Sequence, residues 1–317
     1  MEALLSPNPP DALTTRWRRL RDLDPFVSLA DAAAQLDVVE VELVAALCGD
    51  GILRLDGPFG DLVRVLPDLR RVRAVTRNRH AMIETRGVYP GVEAGCAGVA
   101  GEIGARFFFE QWRYGYVLDE TCTPDRSTGL FFYDGRGQSV HEIHADSETD
   151  SQHFARLVDL YASFDQSQGE EVVLASPRLL APRPDLGAWL RQAEEARPVA
   201  VAGVPGLLED ARHEAISISV AVRSPGVIHR FTGMLHEVTT NAAGMALEAP
   251  WVRVRLALAH VAEAWAVRTP SLDSPVTSVE LLDASANVVL SVSGARRPGT
   301  AEPELWREAV ERLATSR

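Results

Sequence analysis

The chain contains no lysine, only three cysteines and no long apolar run. Every basic residue is therefore an arginine, so an anionic ligand group must be held by guanidinium groups or backbone amides. Cys48, Cys96 and Cys122 are too scattered for a disulfide framework or a thiolate metal site. No segment approaches the roughly 18 apolar residues of a membrane span, and the N-terminus lacks the pattern of a secretion signal. These absences predict a cytoplasmic protein without a membrane span.

The charge balance argues against nucleic acid as a partner. The net charge is −12, whereas a surface that neutralises phosphates needs a basic excess. One local exception is a group of five arginines within ten residues: Arg70, Arg71, Arg73, Arg77 and Arg79. These arginines alternate with apolar residues, which favours the solvent-facing side of a helix end and a strand.

Apolar spacing predicts helices at the start of the chain. Trp17, Leu20 and Leu23 have helical spacing, Ser28 can cap a helix that runs through Leu36, and a further helix follows over 38–48. The last two helices have the rhythm of a helix-turn-helix, but any two short amphipathic helices give that pattern, and the acidity favours a packing role.

From Gly51 onward the pattern favours strands, at 107–111, 114–119, 128–134 and 138–144. A helix is expected from Asp150, with Phe154, Leu157, Leu160 and Tyr161 on one face.

The second half repeats this order. Helices are expected at 186–195, 207–211 and 303–314, and strands at 215–222, 252–258, 263–267, 277–283 and 286–292. A shift of 149 positions also aligns residues of the same type: His80 with His229, Arg106 with Arg255, Tyr116 with Trp265, Thr128 with Thr277, and Asp134 with Asp283. We therefore predict an α+β fold with internal duplication, made of two antiparallel β-sheet units flanked by helices. The expected domains are an N-terminal repeat at 1–165, a linker at 166–184 and a C-terminal repeat at 185–317.

The sequence carries no familiar hydrolase, phosphate-binding or zinc-protease motif, so its histidines are the remaining candidate ligands. His141 and His144 are three apart on a predicted strand, so they face opposite sides and a structural role is favoured. His229 is a candidate ligand because the sheet of the second half should face a cleft. A hydrogen-bonded strand histidine is the alternative for His229.

Several segments resemble one known family. They are VTRN (75–78), GVY (87–89), EIGARFF (102–108), FFYDGRGQSVHEIH (131–144), HVAEAWAVRTPS (260–271), VTSVELLDA (276–284) and GARRPGTAEPELW (294–306). These segments resemble the bacterial hemin-degrading or haem-trafficking proteins of the HemS, HmuS and ChuS type. The resemblance covers almost the whole chain and implies paired repeats with one haem bound in a cleft between sheet and helices of the two halves.

The resemblance also implies the residues of a haem site. Arg106 matches an arginine over the distal face of haem, Phe108 a nearby aromatic position, and Arg296 a second pocket arginine. Under the haem-binding hypothesis, Trp265 would form a wall of the pocket, and His229 stays a candidate because of its place on the sheet of the second half.

Other family positions have changed. The axial histidine falls on Gly187, a pocket lysine on Thr269, a pocket tyrosine on Leu290, and a histidine that some members use in the first half on Ile83. No metal ligand is therefore assigned, and haem is expected with altered ligation, because glycine offers no side chain to iron.

Two functions follow from the resemblance. The first is a cytoplasmic haem-binding protein for haem trafficking or degradation in iron acquisition, with a haem importer or a haem oxygenase as partner and a homodimer as one assembly. Ring opening would need an external reductant. The alternative is a diverged member that binds another planar, tetrapyrrole-like ligand or acts as a non-enzymatic regulatory module.

Overall fold

The structure is a computed structural model that describes residues 10–91, 102–119, 122–123, 126–168, 193–271, 274–296 and 299–315. Its helices α1 to α7 are Pro10–Leu23, Leu29–Leu36, Glu40–Ala46, Phe59–Arg64, Ser151–Tyr161, Val204–His213 and Glu304–Glu311. Its strands β1 to β8 are Ile52–Leu55, Arg71–Arg77, Ala81–Val88, Gly104–Phe107, Trp112–Leu118, Gly129–Asp134, Ser139–His144 and Glu195–Val199. Strands β9 to β16 are Ile218–Arg223, Val227–Gly233, Glu237–Asn241, Gly244–Ala249, Val252–Leu256, Glu263–Thr269, Val276–Leu282 and Val288–Gly294. No helix among the described residues has the length and apolar character needed to cross a membrane.

The chain divides into two compact units. The first unit comprises Met1–Arg73 and Phe108–Leu180, and the second comprises Ala74–Phe107 and Ala181–Arg317. The units differ from the sequence repeats, because β3 and β4 of the first repeat belong to the second unit. The repeat boundaries near residues 165 and 185 stay a prediction, since residues 169–192 lie outside the described part of the chain.

The first unit combines a sheet with two groups of helices. Its strands follow the order β1-β5-β6-β7, all antiparallel. Tyr116 and Phe131 on one face pack on α1 to α3, which contribute Trp17 and Val44. On the other face, the ring of Phe132 lies 5.3 Å from that of Phe59 in α4.

The second unit contains a seven-stranded antiparallel sheet in the order β8-β14-β15-β16-β9-β10-β4. A second group of strands runs β3-β13-β12-β11, also antiparallel. The repeats exchange strands here, because β4 of the first repeat pairs with β10 and β3 pairs with β13. Helices α6 and α7 pack on one face of the seven-stranded sheet, where Leu208 and Trp306 meet Val220, Leu281 and Leu290.

Equivalent turns confirm the predicted duplication. In the β6–β7 hairpin, Asp134 Oδ1 accepts hydrogen bonds from the backbone N–H groups of Arg136 and Gln138, each at 2.8 Å. In the β15–β16 hairpin, Asp283 Oδ1 accepts from the N–H groups of Ser285 and Asn287 at 2.8 and 2.9 Å. An Asp side chain that binds the turn backbone fixes the turn type, so both repeats use the same device.

One predicted equivalence is wrong. The Asn78 N–H donates to the Ala81 carbonyl and the Ser224 N–H to the Val227 carbonyl, each at 2.9 Å, which aligns the two hairpins. By this alignment His229 corresponds to Ile83 and not to His80. A constant shift of 149 positions misaligns these two hairpins, because the two repeats differ in length before β4 and β13.

Several local predictions also need correction. The strand expected at 107–111 is the end of β4 followed by a 3-10 turn at Phe109–Gln111. Leu160 does not share the buried face of α5, since it is 74% exposed. Residue 195, expected in a helix, begins β8, whereas 186–192 lie outside the described residues. Strands β10 to β12 were missed.

Candidate ligand-binding face

A row of side chains crosses all seven strands of the sheet in the second unit. Directly opposed residues of antiparallel strands point to the same side, so one face can be followed from register to register. The row is Gly104, Arg230, Ala221, Ser291, Glu280, Trp265 and Pro198. We call the side that carries this row the polar face, and the side on α6 and α7 the apolar face.

A second row places more arginines on the polar face. Arg106 of β4 lies opposite Ile228 of β10, and Ile228 lies opposite Arg223 of β9. Arg230 is two residues beyond Ile228 on the same strand and therefore faces the same way. Three arginines thus surround Ile228, with Arg106 and Arg230 exposed and Arg223 half-buried.

Glu280 is the buried acidic residue of this face. It is 3% exposed, and its carboxylate accepts a short hydrogen bond from Ser291 Oγ. Burial raises the pKa of Glu280 above its usual range, while the charges of Arg223 and Arg230 act in the opposite direction.

Trp265 lies at the other end of the row. Its indole is half-buried, and its Nε1–H donates to Glu263 Oε2 at 2.8 Å. In the first unit the equivalent face, with Tyr116 and Phe131, packs on helices α1 to α3. The two described helices of the second unit, α6 and α7, pack on the apolar face instead. Helices α6 and α7 thus cover the apolar face of the sheet and not its polar face.

His229 points away from the polar face. It lies opposite Val222 and is completely buried. Its Nδ1 lies 3.1 Å from Thr76 Oγ1 and its Nε2 lies 3.0 Å from Thr85 Oγ1. Both ring nitrogens are thus within hydrogen-bonding distance of threonine hydroxyls, which is the geometry of a hydrogen-bonded strand histidine.

Arg296 lies beyond the end of β16 and binds a neighbouring loop. Its Nη1 donates to the Ser274 carbonyl at 2.8 Å, and its Nη2 donates to Ser271 Oγ at 2.6 Å. Phe108 directly follows β4, is half-buried and belongs to the first unit. The structure therefore brings Arg106 and Trp265 to one face, while His229 faces the opposite side.

The altered family positions are also placed by the structure. Leu290 and Ile83 are fully buried in the apolar core, and Thr269 ends β14 half-buried. Because Leu290 faces α6 and α7, the positions of β16 on the polar face are Ser291 and Ser293. Gly187, which the family resemblance assigns to the axial histidine position, lies outside the described residues.

The histidines of β7 have structural surroundings in the first unit. His144 Nδ1 lies 2.9 Å from Ser127 Oγ, and its Nε2 lies 3.1 Å from Glu142 Oε2. The ring of His141, on the other side of the strand, lies 6.4 Å from that of Trp112. Within the described part of the chain, no three His, Cys, Asp or Glu side chains are grouped to hold a metal ion.

Sequence reasoning missed three residues of the polar face: Arg223, Arg230 and Glu280. Alternation along β9 would place Arg223 on the side of the strand away from its buried residues. The sequence pattern does not predict β10, so Arg230 has no predicted strand. The sequence signal for Glu280 is that it is the single acidic residue in the largely apolar segment VTSVELL.

Comparisons with known proteins agree with this architecture. The family model described as "Haemin-degrading HemS.ChuX domain" matches residues 37–161 and again 187–313. The hemin transport protein HemS of Yersinia enterocolitica is 25% identical over an alignment of 316 positions, and the alignment covers 89% of this chain and 92% of that protein.

Solved structures give the same result. The haem-binding protein PhuS of Pseudomonas aeruginosa, in its apo form, is 26% identical with a TM-score of 0.86, covering 97% of this chain and 100% of that one. The haem-degrading enzyme ChuS of Escherichia coli O157:H7 has a TM-score of 0.85 at 20% identity, covering 96% and 100% of the two chains, and so shares the fold. Since the family model matches twice and spans most of the sequence, this chain belongs to the family of the Haemin-degrading HemS.ChuX domain.

Proposed function

We propose that this protein binds haem as its cargo in the cytoplasm and serves haem trafficking or haem degradation in iron acquisition. The relatives of similar length support this proposal, since PhuS is named a haem-binding protein and HemS a hemin transport protein. A haem importer or a haem oxygenase would be the corresponding partner.

The observation that carries the proposal is the shared polar face of Arg106 and Trp265. Haem combines a flat apolar ring with two propionate carboxylates. An indole can lie against the ring, and guanidinium groups bind carboxylates through charge-assisted hydrogen bonds. Such a bond contributes about 1.5–3 kcal/mol, and burial of the ring adds an apolar term.

Iron ligation is expected to differ from that of the family. Gly187 replaces the family's axial histidine, and the buried His229 points to the apolar face. Affinity would therefore depend more on the propionates and the ring than on an imidazole–iron bond.

A hemin titration with one matched pair of variants tests the proposal. The purified protein is titrated with hemin and followed by the Soret band. Arg106→Ala should weaken binding about 10- to 100-fold, which corresponds to the loss of one charge-assisted contact. Arg255→Ala is the control, because Arg255 is the repeat equivalent of Arg106, is exposed and lies on β13 outside the seven-stranded sheet.

Absence of saturable hemin binding by the wild-type protein would refute the proposal. A parallel titration with metal-free protoporphyrin IX tests the alternative ligand class. Binding of protoporphyrin without any binding of hemin would favour the diverged, haem-free module.

A further inference from the structure

We infer that His80 and His260 form a pH-sensitive contact, which holds the β2–β3 turn in place while both rings are neutral and loosens it when both are protonated. We call these two residues the histidine pair. Neither residue belongs to the candidate ligand-binding face. The inference concerns the second unit alone and does not depend on which ligand the protein binds.

The histidine pair joins two turns of the second unit. His80 ends the β2–β3 turn at 78–80, and His260 ends the 3-10 turn Leu258–His260 that follows β13. Their ring centroids lie 4.8 Å apart and the ring planes differ by 15°, so the rings are stacked. His80 is half-buried and His260 is exposed. Two neutral imidazoles can stack at this distance, whereas two imidazolium ions at the same distance repel each other.

The β2–β3 turn ties the two strand groups of the second unit together. The His80 carbonyl accepts a hydrogen bond from the Ala257 N–H, directly after β13, at 2.8 Å. In the same turn, Asn78 Nδ2 donates to the Val289 carbonyl of β16 at 2.8 Å and to the Arg223 carbonyl of β9 at 3.2 Å. The histidine pair therefore lies where β3 and β13 meet the seven-stranded sheet, and the Ala257 N–H reports directly on the position of His80.

The surroundings of His80 determine the pH at which the pair becomes charged. Burial lowers the pKa of His80 below the ordinary 6.5, and the neighbouring His260 acts in the same direction. Asp283 of the β15–β16 turn opposes this lowering, and Arg79 of the β2–β3 turn adds to it. Within the described residues, His260, Asp283 and Arg79 are thus the charged or titratable groups that act on His80.

Asp283 supplies a constant negative charge over the range in which histidine titrates. Burial acts to raise the pKa of Asp283, but hydrogen bonds from Asn287 and from the Ser285 N–H outweigh burial and keep this pKa below its ordinary value. One proton on the histidine pair is therefore offset by Asp283. A second proton is repelled by the first and by Arg79.

The direction of the pH effect follows from the lowered pKa of His80. A histidine whose pKa is lower in the folded state stabilises that state above the ordinary histidine range, and this contribution is lost as pH falls through the folded-state pKa. Acidification from about pH 7.5 to about pH 5.5 should therefore loosen the turn around His80. The hydrogen bond of the Ala257 N–H should then open more often, because its acceptor is the His80 carbonyl.

Hydrogen exchange of the Ala257 amide in the full-length protein tests the inference, after correction for the intrinsic pH dependence of exchange. The protection factor of the wild type should fall about 3- to 10-fold over this pH range. His260→Phe keeps a ring for stacking but takes up no proton, so its protection factor should stay constant. The control is His213→Gln, an exposed histidine of α6 in the same unit, which should retain the wild-type fall.

An NMR titration of the histidine rings gives a second readout, which a merely structural contact would not move. His260→Gln should raise the titration midpoint of His80, because it removes a neighbouring positive charge. Asp283→Asn should lower the same midpoint, because it removes the opposing negative charge.

Three results would overturn the inference. The first is an Ala257 protection factor that is equal at both pH values in the wild type. The second is a fall in His260→Phe as large as in the wild type, because groups outside the histidine pair would then loosen the turn. The third is an unchanged His80 midpoint in His260→Gln, which would show that the two rings are not coupled. If His260→Phe does not fold, His80→Phe takes its place with the same expected result.

Discussion

Replacement of His229 by alanine should destabilise the protein without changing how haem is ligated. The imidazole is completely buried, and its two nitrogens lie 3.1 and 3.0 Å from the hydroxyls of Thr76 and Thr85. Both threonines are buried as well, at 0% and 2% exposure. Each ring nitrogen is therefore placed to share one hydrogen bond with a threonine hydroxyl.

The expected magnitude follows from these contacts. His229→Ala removes two hydrogen bonds of about 0.5–1.5 kcal/mol each and leaves a cavity where a ring had packed. The two effects together give a loss of about 3–5 kcal/mol in the free energy of unfolding. Thr85→Val keeps the shape of the side chain and removes one bond, so it should cost about 1–3 kcal/mol.

The assay pairs urea unfolding with a hemin titration of the same variants. His229→Gln retains a donor and an acceptor and should keep the wild-type Soret position. A shifted or lost Soret band in His229→Gln, at unchanged unfolding midpoint, would refute the structural role and make His229 a ligand. An unchanged midpoint for His229→Ala would equally contradict the reasoning.

Two further predictions concern packing and pH. Gly115→Ala should lower the free energy of unfolding by about 1–3 kcal/mol, because the new Cβ would lie 2.6 Å from Phe59 Cε1. The control is Gly206→Ala in α6, whose Cβ meets no atom within 4 Å and which should stabilise the protein by about 0.5–1 kcal/mol. The midpoints of urea unfolding test both values. Glu280→Gln should raise the melting temperature at neutral pH. Since the folded-state pKa of Glu280 is raised, its stabilising contribution is complete below the ordinary carboxyl range and is lost as pH rises through the folded-state pKa. Glu280→Gln has no such loss of stability at high pH. Identical melting temperatures of the wild type and Glu280→Gln from pH 4 to 8 would contradict this prediction.

Local features of the fold could be predicted from the sequence because they depend on neighbours along the chain. Ser28 caps α2 as expected, with its Oγ accepting from the Asp31 N–H at 3.1 Å. Asp150 caps α5 in the same way. The β6–β7 hairpin and the final helix also follow the predicted segments.

Features that depend on distant pairing could not be predicted. The exchange of β3 and β4 into the second unit requires β13 and β10 as partners, and β10 was not identified from its sequence. Leu160 has the spacing of a core residue, yet no partner covers it in the folded unit, because periodicity gives a face and not the surface that buries it.

The same distinction applies to the candidate site. The sequence by itself determined the duplication and the family and marked Arg106 as a candidate site residue, because these depend on residue order and motif. Only the tertiary structure decided that Trp265 shares the face of Arg106, that His229 points the opposite way, and that Arg223 and Arg230 lie on the face of Arg106. The physical reason is register: which side of a sheet a residue faces depends on its pairing, and a displacement by one residue would reverse every assignment.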